Sequence, residues 1–142
     1  MKIFLDANVL ISVVNKEYPV FVYSSRVLSL ADSHNFQLYT SPICLAITFY
    51  FAEKKSGAEM AKKKIEILVS KIKVATVDHS AVINTIKNKA VSDLEDGLEY
   101  YAAKNVKCQC IITEDKNDFF FSEIEVLSSQ TFLENYGMSR KR

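Results

Sequence analysis

Glycine, proline and cysteine are scarce in this sequence, and tryptophan is absent: its 142 residues include three Gly, two Pro and three Cys. So little Gly and Pro excludes collagen-like and linker-like chains. No apolar run approaches the roughly 18 residues that a membrane-spanning helix needs. The amino terminus lacks the basic, apolar and small-residue regions of a secretion signal. We therefore expect a compact cytoplasmic domain with no membrane contact.

The few cysteines are Cys44, Cys108 and Cys110, an odd number in a chain with two histidines. Free cysteines of cytosolic proteins are usually reduced and buried. Cys108 and Cys110 have no second pair to complete a structural zinc site. The three residues are therefore predicted to be core thiols.

The net charge is +1, so no overall field attracts the chain to nucleic acid. Lysines nevertheless concentrate between residues 54 and 73, and the chain ends with the basic run 140–142. Each cluster alone predicts a solvated helix face or a frayed tail.

Short apolar segments alternate with helical patterns along the chain. The predicted strands are 3–5, 36–39, 74–77, 109–113 and 125–127, and the predicted helices are 19–34, 42–57, a third that follows directly, 80–90, 92–103 and a last one after Ser128. Such alternation predicts a parallel sheet with helices on both faces. We expect a single domain over 1–137 and a basic tail over 138–142.

Three acids stand at the predicted ends of strands or starts of helices: Asp6, Asp96 and Asp118. Turn and capping chemistry explains each one separately, and Ser92 with Glu95 has the spacing of a capping box. Such a box explains Asp96 poorly, because Asp is a weak helix former beyond the cap. In open α/β sheets the carboxyl ends of strands form the ligand crevice, and clustered carboxylates there require a hard cation such as Mg²⁺ or Mn²⁺.

Segments 4–11, 92–103 and 111–119 together resemble the three characteristic blocks of PIN-domain proteins, and most closely the VapC-type toxins of toxin–antitoxin pairs. The resemblance implies a Rossmann-like PIN fold, a Mg²⁺- or Mn²⁺-dependent endoribonuclease acting on RNA, and a cognate antitoxin. By the same resemblance, the catalytic metal ligands are Asp6, Asp96 and Asp118, the positions of variable extra ligands are Asp93 and Asp115, and the polar residues that hold strand ends are Asn8 and Thr113.

The sequence departs from the PIN pattern in one respect. The family usually carries a glutamate early in the helix after the second strand, and residues 41–48 contain no acid. Glu53 lies roughly a turn or more too late to replace it. The hydroxyl of Thr48 would orient a metal-bound water without adding charge, and the crevice-facing position is expected at Ile47 or Thr48.

Two alternatives to an active nuclease remain open. The missing acid favours a catalytically weakened PIN module that binds RNA or a partner protein. A phosphotransfer domain is disfavoured, because residues 6–10 lack the second Asp and the Thr of the haloacid-dehalogenase motif.

Two predicted helices are apolar and rich in aromatic residues, with Phe49, Tyr50 and Phe51 near their junction. Together they carry more apolar surface than a small monomer needs to bury. Exposed aromatic surface of this kind predicts contact with an antitoxin segment or with a second copy in a homodimer. Lysines of the two helices over 42–72 would hold the RNA backbone through phosphate contacts.

Overall fold

The computed structural model describes residues 1–137, and the predicted basic tail 138–142 lies outside them. A five-stranded parallel sheet forms the centre, in the order β3-β2-β1-β4-β5. The strands are β1 (Lys2–Leu5), β2 (Gln37–Thr40), β3 (Lys73–Val74), β4 (Cys110–Ile112) and β5 (Glu125–Leu127). The α-helices are α1 (Ala7–Val14), α2 (Val20–Ser29), α3 (Pro42–Ser56), α4 (Ala58–Lys71), α5 (His79–Lys87), α6 (Leu94–Asn105) and α7 (Ser129–Phe132). The predicted fold class, a parallel α/β sheet flanked by helices, is confirmed.

The two central strands are covered on both faces. Successive strand residues point to opposite faces, and Ile3, Phe4 and Leu5 are all at most 1% exposed. Ile111 and Ile112 of β4 are completely buried as well. Because no alternation of polar and apolar residues remains, helices must pack on both faces of these strands.

The sheet reverses its order beside β1. The chain builds β2 and β3 on one side of β1 and then returns to place β4 and β5 on the other. Leu5 pairs with Ile112 in register, so the residues that follow, Asp6 and Thr113, lie next to each other. In open α/β sheets this switch point is where the ligand crevice forms.

Helix α6 approaches α5 closely through Gly97. A Cβ built at Gly97 would collide with the Cγ2 of Thr85 and would lie 2.8 Å from the Cγ1 of Val91. The missing side chain therefore lets the first turn of α6 pack tightly, and this contact sets the position of the acids in that turn.

The first turn of α6 differs from the sequence prediction in two ways. Its N-cap is Asp93, whose Oδ1 accepts from the backbone N–H of Asp96 at 3.1 Å, so Ser92 does not cap the helix. Leu94, whose apolar side chain and spacing with Leu98 and Tyr101 predict a buried stripe, is 56% exposed, whereas Glu99 and Tyr100 are 2% and 3% exposed. The buried face of α6 is therefore rotated toward residues 99 and 100.

Helix α3 follows the carboxyl end of β2. Ser41 caps it by accepting from the N–H of Cys44 at 3.2 Å, and Pro42 occupies the first turn, where no N–H is needed. The helix ends at Gly57, whose φ of 85° favours a residue without a Cβ. Cys44, Thr48 and Ala52 form its fully buried stripe.

Several predicted boundaries shift by a few residues. The strand predicted over 74–77 is the two-residue β3, and the helix predicted to reach His34 changes at Leu30 to a short 3₁₀ turn. Asp78, which directly follows the strand predicted over 74–77, caps α5 by accepting from the N–H of Ala81 at 3.0 Å. Such shifts are typical where local capping competes with hydrophobic pattern.

Within residues 1–137, no helix combines the length and the apolar character needed to cross a bilayer.

Candidate metal site at the carboxyl edge of the sheet

Asp6 occupies the centre of the crevice, immediately after β1. The residue is only 6% exposed. Its Oδ1 accepts from the N–H of Ala7 at 2.7 Å and caps α1, and its Oδ2 accepts from the Thr113 hydroxyl at 2.8 Å. Both oxygens are thus held in a fixed orientation, which is the requirement for a preorganised ligand.

Thr113 and Asn8 tie the ends of β1 and β4 together. The Thr113 hydroxyl, which donates to Asp6, accepts from the Nδ2 of Asn8 at 3.0 Å and from the N–H of Asp115 at 3.1 Å. The Oδ1 of Asn8 accepts from the N–H of Glu114 at 3.1 Å. These bonds join the loop after β4 to the loop after β1 and orient the Asp6 carboxylate.

A second set of acids surrounds the mouth of the crevice; we call Asp93, Asp96, Asp115 and Asp118 the outer acids. Burial, and then the negative charge of Asp118, Asp93, Asp6 and Glu95, raise the pKa of Asp96 to about 7. Partial burial also raises the pKa of Asp118, with further contributions from Asp115, Asp6 and Asp93. The carboxylates are therefore near enough to repel one another.

The outer acids are more accessible than Asp6. Asp93, Asp115 and Asp118 are exposed and Asp96 is half-buried. Asp93 already uses one oxygen to cap α6. Asp118 lies in the 3₁₀ turn Lys116–Phe119 after β4.

A tighter group lies on the inner side of Asp6; we call Asp6, Cys44 and Glu99 the inner trio. One ligand-capable atom from each residue lies within 4.8 Å of the others, and all three residues are buried. In residues 1–137 no other group of three His, Cys, Asp or Glu side chains is this close, and Asp96 and Asp118 are not part of it. The structure thus brings the predicted acids to one crevice but packs Asp6 most closely against two residues that were not predicted as ligands.

Glu99 is the acid that sequence reasoning missed. It projects from α6 one turn after Asp96 and is 2% exposed. Burial, followed by contact with Asp6, raises the pKa of Glu99 to about 11. One of its oxygens, Oε1, is buried without a hydrogen-bond partner. A spacing of three residues from Asp96 was the available signal, because residues i and i+3 share a helix face.

Cys44 is the α3 residue that faces the acids. It is the third residue of the helix and is completely buried. Burial, followed by the charges of Glu99 and Asp6, raises the pKa of the Cys44 thiol. Of the two positions expected to face the crevice, Ile47 is partly buried against the core, and Thr48 is completely buried with its hydroxyl donating to the carbonyl oxygen of Cys44 at 2.7 Å within α3.

The donor set fits a divalent cation. The crevice gathers carboxylates with an orphaned buried oxygen on Glu99. The two ion pairs found within residues 1–137 join Lys71 to Asp32 and Lys104 to Glu123, so neither neutralises these acids. Clustered carboxylates without a cationic side chain are stabilised when a metal ion binds.

Comparison with known proteins agrees with this architecture. The family model described as PIN domain matches residues 2–117. The chain is 29% identical over 139 residues to Ribonuclease VapC1 of Aquifex aeolicus, and the match covers 95% of each chain. Among solved structures, VapC20 of Mycobacterium tuberculosis, described as a sarcin–ricin loop cleaving toxin, superposes with a TM-score of 0.68 at 16% identity, over 87% of this chain and 98% of that one.

The VapBC2 structure from Rickettsia felis, solved with a promoter DNA fragment, superposes with a TM-score of 0.66 at 18% identity, over 90% of this chain and 98% of that one. At these identities the structural matches establish the fold alone. The family model, in contrast, covers most of the sequence, so the chain belongs to the PIN-domain family.

Proposed function

We propose that the chain is a Mg²⁺- or Mn²⁺-dependent endoribonuclease and the toxin of a VapBC-type toxin–antitoxin pair. The observation that carries the proposal is the set of mutually repelling carboxylates of Asp6, Asp96 and Asp118 at the switch point of the sheet. The similarity to Ribonuclease VapC1 supports the same reaction class.

The reaction is hydrolysis of an RNA phosphodiester. The cation would be held by Asp6, Asp96 and Asp118. The charges of Asp93 and Asp115 raise the pKa of one or both of Asp96 and Asp118, so these two acids lie near enough to contribute as ligands. When bound, Mg²⁺ or Mn²⁺ supplies Lewis acidity that polarises the phosphate and activates a water molecule.

The chain's own residues fix the geometry of this site. Thr113 keeps the Asp6 carboxylate aimed into the crevice, and Asn8 holds the adjoining loop. Exposed outer acids leave the mouth of the crevice open to a polymer substrate. Thr48 does not orient water in this proposal, because its proton is donated within α3.

Lysines on α3 and α4 are proposed to contact the RNA backbone. Three of them donate within the protein: Lys55 to the carbonyl of Asn15, Lys64 to the hydroxyl of Ser56, and Lys71 to Asp32. Contacts between the α3 and α4 lysines and RNA phosphates would position the RNA strand without reading its sequence.

An antitoxin contact is proposed on the exposed apolar residues that α3 and the region from Tyr18 into α2 present. Tyr18 and Tyr50 are 68% and 53% exposed, with Val22 and Phe51 each at 42%. Large apolar residues exposed in this number favour an interaction surface. The same surface would serve a homodimer, and the VapBC complexes among the structural neighbours support an antitoxin as the occupant.

A cytosolic location belongs to the same proposal. Cys44, Cys108 and Cys110 are buried and free. Unpaired thiols suit a compartment kept reduced by glutathione and thioredoxin.

The proposal is tested by cleavage of a labelled structured RNA at increasing Mg²⁺ or Mn²⁺, with chelator as the metal-free control. Wild type is expected to cleave only with metal. Asp6→Asn and Asp96→Asn should lower the rate by roughly a thousandfold, since each removes several kcal/mol of charge stabilisation.

Glu123→Gln is the matched control, because exposed Glu123 pairs with Lys104 in the last turn of α6, at the opposite end of that helix from Asp96. Its cleavage rate should stay near wild type. If wild type binds RNA but shows no metal-dependent cleavage, the protein is a binding module on a PIN fold.

A further inference from the structure

The inner trio has the dimensions of a metal site in its own right. Its three ligand atoms lie within 4.8 Å of one another. Atoms bound tetrahedrally to a single ion at about 2.0–2.3 Å lie about 3.3–3.8 Å apart, so shifts on the order of 1 Å would complete the coordination. Helix α3 contributes one ligand, helix α6 another, and the residue that follows β1 the third.

Glu99 provides a second, independent indication of a ligand. Its side chain is more than nine-tenths buried, and Oε1 has no hydrogen-bond partner. A buried polar oxygen without a partner costs about 1–3 kcal/mol, so such atoms are rare unless a ligand completes them. No lysine or arginine forms an ion pair with the trio within residues 1–137.

We propose that Asp6, Cys44 and Glu99 form a mixed carboxylate–thiolate site that binds a thiophilic divalent cation of the Zn²⁺ class. In this site Glu99 supplies, from α6, the carboxylate that α3 lacks, and the Cys44 sulfur occupies the α3 position facing Asp6. Sulfur is a poor ligand for Mg²⁺ and a good one for Zn²⁺ and Co²⁺. Three protein ligands with a fourth position open is the coordination typical of catalytic rather than structural zinc.

The site shares Asp6 with the proposed nuclease site but does not depend on cleavage. Zn²⁺ held by the trio would compete with Mg²⁺ for the Asp6 carboxylate. Metal binding to Cys44 and RNA hydrolysis can therefore be measured separately.

The test is titration of the metal-free protein with Co²⁺, followed by optical spectroscopy. Co²⁺ bound to a thiolate gives a near-ultraviolet charge-transfer band that oxygen ligands do not give. Wild type should show this band with a stoichiometry of about one ion per chain, and excess Zn²⁺ should displace it.

Matched variants identify the ligands. Cys44→Ser should abolish the band, whereas Cys108→Ser, which alters a buried thiol outside the trio, should keep it. Glu99→Gln should weaken Co²⁺ and Zn²⁺ binding by at least about 100-fold, as loss of a ligand exceeds the effect of loss of a second-layer contact. Circular dichroism checks the folding of each variant, and Glu99→Gln tests the site independently if Cys44→Ser fails to fold.

Either of two results would overturn the inference: Co²⁺ bound with no charge-transfer band, or a band that survives in Cys44→Ser. Asp96→Asn separates the two proposals, because it should stop cleavage and leave the band intact. Loss of cleavage without any Cys44-dependent band would leave the nuclease proposal standing and remove this one.

Discussion

The inner trio and the outer acids are both rich in carboxylates, but they differ in burial. The outer acids lie in loops and at a helix start, and three of them, Asp93, Asp115 and Asp118, are exposed to water, with Asp93 also forming the cap of α6. The trio lies beneath them, where Glu99 is 2% exposed and has an oxygen without a partner. The exposed acids Asp93, Asp115 and Asp118 therefore tolerate the absence of metal, whereas Asp96 and Glu99 carry an electrostatic cost that a cation would remove.

This difference predicts how each group affects stability and catalysis. Changes to the trio should alter the stability of the metal-free protein strongly. Changes to the outer acids should act mainly on catalysis, with capping as their structural contribution.

The largest stability effect is expected from Glu99→Gln in the presence of chelator. The folded pKa of about 11 lies above the ordinary 4.5, so the folded protein keeps a proton that the unfolded chain releases above pH 4.5. The contribution of Glu99 to stability is thus complete below pH 4.5 and is lost as the pH rises toward 11. At about pH 7.5 the variant should be more stable by up to about 4 kcal/mol.

Urea unfolding at a series of pH values checks this prediction. The gain should shrink toward zero as the pH approaches 4.5, and added metal should stabilise wild type more than the variant. A gain that is independent of pH would contradict the account of Glu99.

The next largest effect is expected from Gly97→Ala, which disturbs the helix that carries Glu99 and Asp96. The new methyl group would collide with Thr85 and approach Val91. Overpacking of this kind costs typically about 1–3 kcal/mol. Thermal unfolding measures the loss, and Gly57→Ala is informative beside it, because that site is spatially open and limited only by its positive φ.

Thr113→Val should separate orientation of Asp6 from the fold. It removes the hydroxyl that donates to Asp6 and accepts from Asn8 and Asp115, at a cost of about 1–3 kcal/mol. Cleavage should fall as well, because the Asp6 carboxylate loses a positioning bond. The matched control is Thr48→Val, because the Thr48 hydroxyl donates within α3 to the carbonyl oxygen of Cys44. A large loss of cleavage in that variant would support the water-orienting role first predicted for Thr48.

The smallest effect is expected from Asp93, among the outer acids. Asp93→Ala should cost about 1 kcal/mol through loss of the α6 cap, and Asp93→Asn should preserve most of that stability. If Asp93 is also a metal ligand, Asp93→Asn should still require more Mg²⁺ for cleavage. Equal metal dependence in Asp93→Asn and wild type would limit Asp93 to capping.

The sequence predicted the parallel α/β fold class because strands and helices leave local patterns, and the resemblance to PIN-domain blocks supplied the outer acids. Unbroken apolar runs indicate buried parallel strands, and an Asp after such a strand marks its carboxyl end, as for Asp6. Glu99 and Cys44 leave no such pattern, since a Glu in a helix is typical of a solvated face and a buried Cys is typical of any core. Glu99 and Cys44 lie close together because α3 and α6 pack against each other, and these helices are far apart in the sequence.

The apolar stripe of α6 shows the same limit. Leu94 has the helical spacing of a core residue, yet it is exposed because the cap begins at Asp93 and the close contact at Gly97 fixes the rotation of the helix. Tertiary contact thus decided which face was buried. The same rotation turned Glu99 toward Asp6.

The central claim is that Asp6 is shared between a buried trio and the outer acids, and that the trio binds metal. The most direct test is anomalous diffraction from crystals soaked in Co²⁺ or Zn²⁺. The account predicts a peak about 2.0–2.3 Å from Asp6, Cys44 and Glu99 ligand atoms. An ion held by Asp6, Asp96 and Asp118, with Cys44 and Glu99 out of contact, would contradict it.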